Sequence, residues 1–173
     1  MKRAAPPTDV HGSVALDDLY LRLLACLQED GRLTNQQVGE RVGLSASQCS
    51  RRRIALEAAG LIRGYGARLD AEALGFRVVA FIQVTLSRHT EDAARRFAEL
   101  LERADVVQEA YTTTGESDYL VKAVLPDLSG LSSFLNEILL PHGSVAQVRS
   151  SLVLERLKET GRLPLTALRH RRR

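Results

Sequence analysis

Hydroxyl, amide and guanidinium side chains cluster near position 50 in a pattern suited to contacting DNA. The cluster consists of Ser45, Ser47, Gln48, Ser50, Arg51, Arg52 and Arg53. A glutamine amide can bridge N6 and N7 of adenine, an arginine guanidinium can bridge O6 and N7 of guanine, and serine tolerates either base. We therefore expect Gln48 and Arg51 to read bases, with Ser47 and Ser50 as secondary contacts.

The other arginines of this region are better suited to phosphates than to bases. Arg52 and Arg53 directly follow the expected base readers, and Arg63 comes shortly after them. Phosphate contacts fix the register of a protein on the duplex and give salt-dependent affinity without reading the base sequence. For Arg52 the sequence also allows an ion pair inside the domain, with Glu40 or Glu57.

Three short helices are predicted to position these side chains. The spacing of apolar residues predicts helices over residues 17–28, 35–42 and 46–59. Only residues 43–45 separate the second helix from the third, and Ser45 is a suitable N-cap for the third. So short a turn is typical of a helix-turn-helix, whose second helix enters the major groove with its N-terminal end first.

The segments beside these helices supply further candidate contacts with DNA. Thr34 is a suitable N-cap, and the backbone amides near Thr34 and Asn35 could hold a phosphate. Residues 61–69 form an extended piece broken by glycines, which predicts a short hairpin or wing. Arg63 and Tyr65 lie on that wing and complete the set of expected DNA contacts.

The second half of the chain predicts four strands and two helices. The strands are expected over residues 78–86, 106–114, 118–125 and 145–154, and the helices over residues 90–104 and 128–140. The resulting order, βαββαβ, is that of the ferredoxin-like fold, so the fold class is α+β. Both helices would cover one face of the sheet, and a second copy of the chain is expected to cover the other.

Composition and residue spacing argue against several other classes of protein. The 173 residues contain no apolar segment long enough to cross a membrane, so no membrane partner is expected. Cys26 and Cys49 lie in predicted helices and are expected to be reduced thiols of a cytoplasmic protein. No catalytic constellation or metal-ligand spacing occurs, so neither enzymatic activity nor a metal or cofactor is expected. An amino-acid-binding enzyme or an enzyme-regulatory subunit is the alternative from a different class.

Both ends of the sequence are predicted to lie outside the folded domains. Residues 1–14 include two prolines and no apolar core, which favours a disordered arm over a signal peptide. Residues 166–173 form a basic tail that ends in Arg169, His170 and three further arginines. In a chain whose net charge is only +3, this tail is either an electrostatic footprint for nucleic acid or a solvated end.

Several short motifs occur together in an order typical of one family. They include residues 27–35 (LQEDGRLTN), 42–47 (VGLSAS), 60–65 (GLIRGY) and 114–120 (TGESDYL). On these motifs the chain resembles the Lrp/AsnC (leucine-responsive/asparagine-responsive, feast/famine) transcriptional regulators of bacteria. The resemblance implies a winged helix-turn-helix domain over residues 15–70, a linker over 71–76 and a ferredoxin-like, RAM-type domain over 77–165.

The resemblance also implies a binding site for a small effector, an amino acid, between subunits. By position, it assigns to this site the loop residues Thr113, Thr114, Gly115, Ser117 and Asp118. Asp118 would accept hydrogen bonds from the ammonium group of the amino acid, while Thr114 or the loop amides would bind its carboxylate. The alternative for Asp118 is to cap the loop through backbone N–H groups, and Tyr119 is expected to pack in the sheet.

By this resemblance the chain is a sequence-specific regulator that binds double-stranded DNA, and homodimers are expected to assemble into tetramers or octamers. The alternative within the same architecture is a DNA-compacting protein with little effector response. Two positions depart from the family pattern, because Arg53 replaces a commonly apolar residue and Ser117 a commonly aromatic one. Either Ile54 takes over the packing, or the stem of Arg53 lies along the core with its charged head in water.

Overall fold

The computed structural model describes residues 14–87 and 90–170, which form two compact units. The helical unit combines the described residues up to Arg68 with those from Thr160 onward, and the sheet unit is Leu69–Glu159. The chain therefore returns to the helical unit before residue 165, where the sequence placed the end of the second domain. The expected arm lies outside the described residues except for Val14, which packs against the core of the helical unit.

Three helices near the start of the chain build the helical unit, and a polar side chain caps each of them. They are α1 (Asp18–Glu29), α2 (Asn35–Val42) and α3 (Ala46–Ala58). Asp17, Thr34 and Ser45 accept hydrogen bonds from backbone N–H groups of the first turns, as expected for N-caps. The core between the helices consists of Leu23, Leu27, Leu33, Val38, Val42, Cys49 and Leu56.

The turn between α2 and α3 depends on two glycines. Gly43 ends α2 with φ at +77°, a left-handed conformation that glycine adopts without strain. A β-carbon at Gly39 would collide with the carbonyl oxygen of Leu44, so the turn packs directly on the backbone of α2. These contacts hold α3 at a fixed angle to α2, which is the predicted helix-turn-helix arrangement.

Residues 61–69 contain no strand. The expected hairpin is therefore wrong, because the segment packs on α3 through Tyr65 instead of pairing with itself. The expected linker is a hydrogen-bonded turn, in which Asp70 accepts from the N–H of Ala73 and Phe76 donates to the carbonyl of Ala71.

An antiparallel sheet and two helices build the sheet unit, in the predicted order. The elements are β1 (Val78–Leu86), α4 (Glu91–Arg103), β2 (Val107–Thr112), β3 (Tyr119–Leu125), α5 (Leu128–Ser133) and β4 (Val145–Leu152). A π-helical turn, Phe134–Leu139, continues α5, and a short helix, α6 (Thr166–His170), follows in the helical unit. The strand order β2-β3-β1-β4 is that of the ferredoxin-like fold, which confirms the α+β class.

The helices cover one face of the sheet and leave the other face exposed. Ala80, Ile82 and Val84 of β1 point inward, where they pack with Phe97 of α4 and Phe134 after α5. The residues between them point outward, as the alternation of a strand requires. We call the opposite side the outer face; it carries Val79, Phe81, Gln83 and Thr85 of β1, with Leu120, Lys122 and Val124 of β3.

The outer face is a mixture of apolar and charged groups. Phe81 is 39% exposed, and it pairs across the sheet with Lys122. The ammonium group of Lys122 lies 2.8 Å from the carboxylate of Glu109, which lowers the pKa of that carboxyl. No helix within the described ranges is both long and apolar enough to cross a lipid bilayer.

Candidate nucleic-acid interface and ligand cavity

The solvent-facing side of α3 carries a stripe of side chains that includes Ser47, Arg51 and Ile54. These positions are four and three residues apart, so they lie on one side of the helix. Arg51 is exposed, and it makes no hydrogen bond or ion pair with any residue that the structure describes. Ile54 is 61% exposed, which excludes the expectation that it replaces a core residue at position 53. The stripe thus offers a guanidinium, a hydroxyl and an apolar group to a partner.

Gln48, an expected base reader, is instead engaged in the cap of α3. Its side-chain oxygen Oε1 accepts hydrogen bonds from the backbone N–H of Ser45 at 3.0 Å and from the hydroxyl of Ser45 at 3.1 Å. An amide oxygen has two lone pairs, and both are used here. Bridging adenine needs that oxygen as an acceptor, so Gln48 could read adenine only by giving up the cap.

Arg52 joins α3 to the start of α1. Its Nη1 atom lies 3.2 Å from a carboxylate oxygen of Asp17, and its guanidinium stacks on the ring of Tyr20 at 4.3 Å. The backbone N–H of Tyr20 and the guanidinium of Arg52 lower the pKa of Asp17. The domain-internal ion pair allowed by the sequence is therefore formed, but with Asp17 rather than with Glu40 or Glu57.

Arg53 holds the segment of residues 61–69 against α3 through Tyr65. Its Nε atom donates to the hydroxyl of Tyr65 at 2.8 Å, and its Nη1 atom donates to the carbonyl of Leu33 at 3.2 Å. The hydroxyl of Tyr65 donates in turn to Glu57 at 2.9 Å, and burial with this bond raises the pKa of Tyr65. We call Arg53, Glu57 and Tyr65 the tyrosine clamp. The charged head of Arg53 is thus hydrogen-bonded inside the unit instead of lying in water.

The groups expected to bind phosphate differ in whether they already donate hydrogen bonds within the protein. The backbone N–H of Thr34 already donates to Gln37 at 2.9 Å, so it is not free to bind a phosphate. The N–H groups of Asn35 and Gln36 belong to the first turn of α2, which leaves them without helical partners. Arg63 is exposed and has no hydrogen bond or ion pair with the described residues. Contacts of Arg52 and Arg53 with phosphate remain predictions, and both residues have a structural task.

The predicted effector residues form a closed loop between β2 and β3. The hydroxyl of Thr113 donates to the carbonyl of Ser117 at 2.8 Å, and Gly115 turns the chain with φ at +115°. The Asp118 carboxylate accepts the backbone N–H of Leu86 at 2.7 Å, which ties the loop to the end of β1. This donor lies outside the loop, so the loop-capping alternative stays a prediction. Thr114 lies exposed on the same loop, and the ring of Tyr119 packs against that of Phe97 in a tilted arrangement with centroids 4.8 Å apart.

A polar cavity of about 140 Å³ lies beside this loop on the outer face of the sheet. It is lined by Gln83, Thr85, Glu116, Ser117, Gln147 and Arg149. The carboxylate of Glu116 and the guanidinium of Arg149 lie 3.4 Å apart, and both are exposed. A carboxylate and a guanidinium together are complementary to the ammonium and carboxylate groups of an amino acid.

Sequence reasoning selected Ser117 but missed the two charged residues of this cavity. Glu116 lies inside the motif TGESDYL, between two residues that the resemblance assigns to the effector site, so the motif already indicated its loop. Arg149 comes from β4 and lies next to β1 only because Gln83 pairs with Arg149 in the sheet. That register follows from tertiary structure, and no local pattern in the sequence indicates it.

Replacing Tyr65 by Phe is expected to loosen residues 61–69, because the clamp loses both hydrogen bonds of the tyrosine hydroxyl. A net loss of about 1 kcal/mol should accelerate local opening roughly fivefold. The N–H groups of Leu61 and Ile62 bond to the carbonyl of Leu56 and can report this opening by hydrogen exchange. Tyr111→Phe is the control in the sheet unit, and unchanged exchange in Tyr65→Phe would contradict the role of the clamp.

Comparisons with known proteins find matches over most of the chain. The model of the AsnC-type helix-turn-helix domain matches residues 16–57, and that of the Lrp/AsnC ligand binding domain matches residues 79–163. The leucine-responsive regulatory protein of Rhizobium meliloti (strain 1021) is 40% identical over 146 residues, or 84% of this chain and 94% of that protein.

Solved structures agree with these matches. A transcriptional regulator from Neisseria meningitidis, solved in complex with L-Met, is 41% identical with a TM-score of 0.85 over 88% of this chain and 99% of that one. An AsnC family transcriptional regulator from Agrobacterium tumefaciens is 31% identical with a TM-score of 0.84 over the same shares. The matched domains and the named relatives are those of regulators and not of enzymes.

Proposed function

The chain belongs to the Lrp/AsnC family of transcriptional regulators, and on that premise we propose that it binds double-stranded DNA and responds to an amino acid. The helical unit binds the DNA, and the cavity on the sheet unit binds the effector. One observation carries the DNA-binding part of the proposal. The guanidinium of Arg51, on the exposed side of α3, has no partner among the residues that the structure describes, whereas those of Arg52 and Arg53 are engaged inside the unit.

Contacts with bases are proposed for the stripe on α3. Arg51 donates two hydrogen bonds to guanine in the major groove, with Ser47 and Ser50 as secondary contacts. Ile54 packs against the methyl group of a thymine, the apolar feature of that groove. Arg63 and the first N–H groups of α2 bind phosphates and set the register of α3 on the duplex.

The effector is proposed to be an amino acid that opens the pair between Glu116 and Arg149. An exposed ion pair contributes only about 0–1 kcal/mol, so exchanging it for a zwitterion costs little. Glu116 then accepts the ammonium group and Arg149 binds the carboxylate, while the side chains of Gln83 and Gln147 line the cavity. The complex of the Neisseria relative with L-Met supports an effector of this class.

Assembly is proposed to occur through the outer face, with homodimers that associate further into tetramers or octamers. Phe81 is an exposed aromatic side chain on this face, and so is Tyr111 of β2, which pairs with Leu120. Both favour burial of the face by a second copy. The cavity opens on the same face, so bound effector can favour one assembly over another. Such a shift in assembly would change which DNA sites the helical units can reach together.

The test is the thermal stability of the chain with each of the twenty amino acids at millimolar concentration, followed by light scattering. An effector at 100 times its Kd should add about 2.7 kcal/mol of stability. We expect stabilisation by a small subset that also changes the size of the assembly. Absence of both effects in a chain that binds duplex DNA would favour the DNA-compacting alternative, and failure to bind any duplex would contradict the DNA-binding role.

A further inference from the structure

The cavity on the outer face is lined by side chains that all carry hydrogen-bonding groups. Two of them are charged, Glu116 and Arg149, and the proposed function assigns them to the ammonium and carboxylate groups of the effector. The other four are neutral: Gln83, Thr85, Ser117 and Gln147. Within the part of the chain that the structure describes, no purely apolar side chain lines the cavity. The side chain of a bound amino acid would therefore meet polar groups only.

The register of the sheet places the two glutamines of the cavity beside each other. Gln83 of β1 pairs with Arg149 of β4, and Thr85 pairs with Gln147. Gln83 and Gln147 are thus diagonal neighbours, which lie about 7–8 Å apart on one face of a sheet. At about 140 Å³ the cavity is smaller than the roughly 300 Å³ at which pockets for drug-sized ligands begin. Both carboxamides can therefore reach one small molecule held between them.

The carboxamides of Gln83 and Gln147 have no hydrogen bond with any residue that the structure describes. Both side chains are exposed, so solvent can satisfy them while the outer face is open. Burial of that face by a second copy, as proposed, would remove this solvent, and a buried polar group without a partner is costly. A ligand that both donates and accepts hydrogen bonds would supply the partners, whereas an apolar side chain would leave the carboxamides unpaired.

The charges of the cavity favour a neutral side chain on the effector. Glu116 and Arg149 contribute one charge of each sign, and the zwitterion of an amino acid uses both. The hydroxyl of Thr85 donates to the backbone carbonyl of Glu116 at 3.3 Å, which ties the loop to β1 without adding a charge. A third charge on the effector would lose its water in the cavity and gain no counterion among the lining residues.

We propose that the effector of this chain is an amino acid with a carboxamide side chain, and that Gln83 and Gln147 determine this specificity. The inference rests on the proposed function, because it requires an amino acid in the cavity and a second copy over the outer face. A carboxamide has two N–H donors and a carbonyl acceptor, so it can exchange hydrogen bonds with both glutamines at once. A hydroxyl has a single donor and satisfies fewer of these groups.

The test uses amino acids that share a shape and differ in one terminal group. L-Glutamine matches L-methionine, the ligand of the Neisseria relative, and L-asparagine matches L-leucine. Calorimetric titration of the full chain should give a Kd at least about tenfold lower for the amide than for its apolar counterpart, because the counterpart leaves buried carboxamides unpaired. L-Glutamate and L-aspartate, which add a charge to the two amide shapes, should also bind at least about tenfold more weakly.

Variants of the two glutamines test their role in this selection. Gln83→Met and Gln147→Met keep the length of the side chain and remove the carboxamide. Each should lower the ratio of the apolar Kd to the amide Kd by roughly tenfold, and a general loss of stability would not change this ratio. Gln108→Met is the matched control, because Gln108 is an exposed residue of β2 that does not line the cavity. It should leave the ratio unchanged.

The possible outcomes separate this inference from the proposed function. Equal or tighter binding of any amino acid without a carboxamide would overturn the inference and leave an amino-acid effector in place. An unchanged ratio in both Gln83→Met and Gln147→Met would overturn the role of the two glutamines, as expected if the second copy satisfies their carboxamides. If none of the twenty amino acids bound, the proposed effector response and this inference would both fail.

Discussion

Arg51→Ala is expected to cost about 1–3 kcal/mol in binding to a specific duplex and to relax the preference for the base that Arg51 contacts. The reason is the position of Arg51 on the exposed stripe of α3, where its guanidinium has no partner among the described residues. The measurement is the Kd for a selected duplex and for a scrambled duplex of equal length at one salt concentration.

Arg63→Ala is the matched control for this experiment, because Arg63 is also exposed but is assigned to a phosphate. It should weaken binding to the selected and scrambled duplexes by the same factor. Arg51→Ala should instead reduce the difference between the two duplexes. Equal losses on both duplexes in Arg51→Ala would refute the assignment of Arg51 as a base reader.

Glu116→Gln is expected to raise the Kd for an amino-acid effector by at least tenfold, and Arg149→Gln should do the same. Glu116→Gln keeps the shape of the side chain, whereas glutamine at position 149 is shorter than arginine, and each change removes one charge that would face the proposed zwitterion. Hydrogen bonds to charged groups contribute about 1.5–3 kcal/mol, and about 1.4 kcal/mol corresponds to tenfold in Kd. Calorimetric titration with L-methionine, the ligand of the Neisseria relative, would measure the loss.

Asp118→Asn tests whether the carboxylate of Asp118 or that of Glu116 binds the ammonium group of the effector. An asparagine at position 118 can still accept the N–H of Leu86, so the loop and the effector response should persist. Asp118→Ala, in contrast, would leave that N–H without its carboxylate and should lower the melting temperature. A lost response in Asp118→Asn with a normal response in Glu116→Gln would return the ammonium site to Asp118.

The sequence predicts the helical and strand elements well where hydrophobic periodicity defines them. The bounds of α2 and the start of β1 match the prediction, because apolar positions on these elements have a single buried face. The hairpin was wrong because Tyr65 binds the clamp on α3, and glycines near it gave no information about that partner. The local sequence pattern predicts whether a segment forms a helix or a strand, but it does not predict the surface on which that segment packs.

The candidate site could be predicted only in part, because glutamine and arginine side chains can either contact DNA or stabilise the fold. Gln48 follows Ser45 by three positions, the spacing of a capping box, and this signal was present in the sequence beside the base-reading interpretation. Arg52 pairs with Asp17 over 35 positions, and no spacing rule connects residues so far apart. Arg51 is exposed on α3, as the sequence allowed, and its role as a base reader stays a prediction.

The return of the chain to α1 also sets an order of events during synthesis. The three helices emerge from the ribosome first and contain their own core, so they can form before the sheet unit exists. Leu163 reaches Gln28 only after every strand has been made. The contact between Leu163 and Gln28 therefore forms only on chains translated past the sheet unit, and products that terminate early would carry the three helices without it.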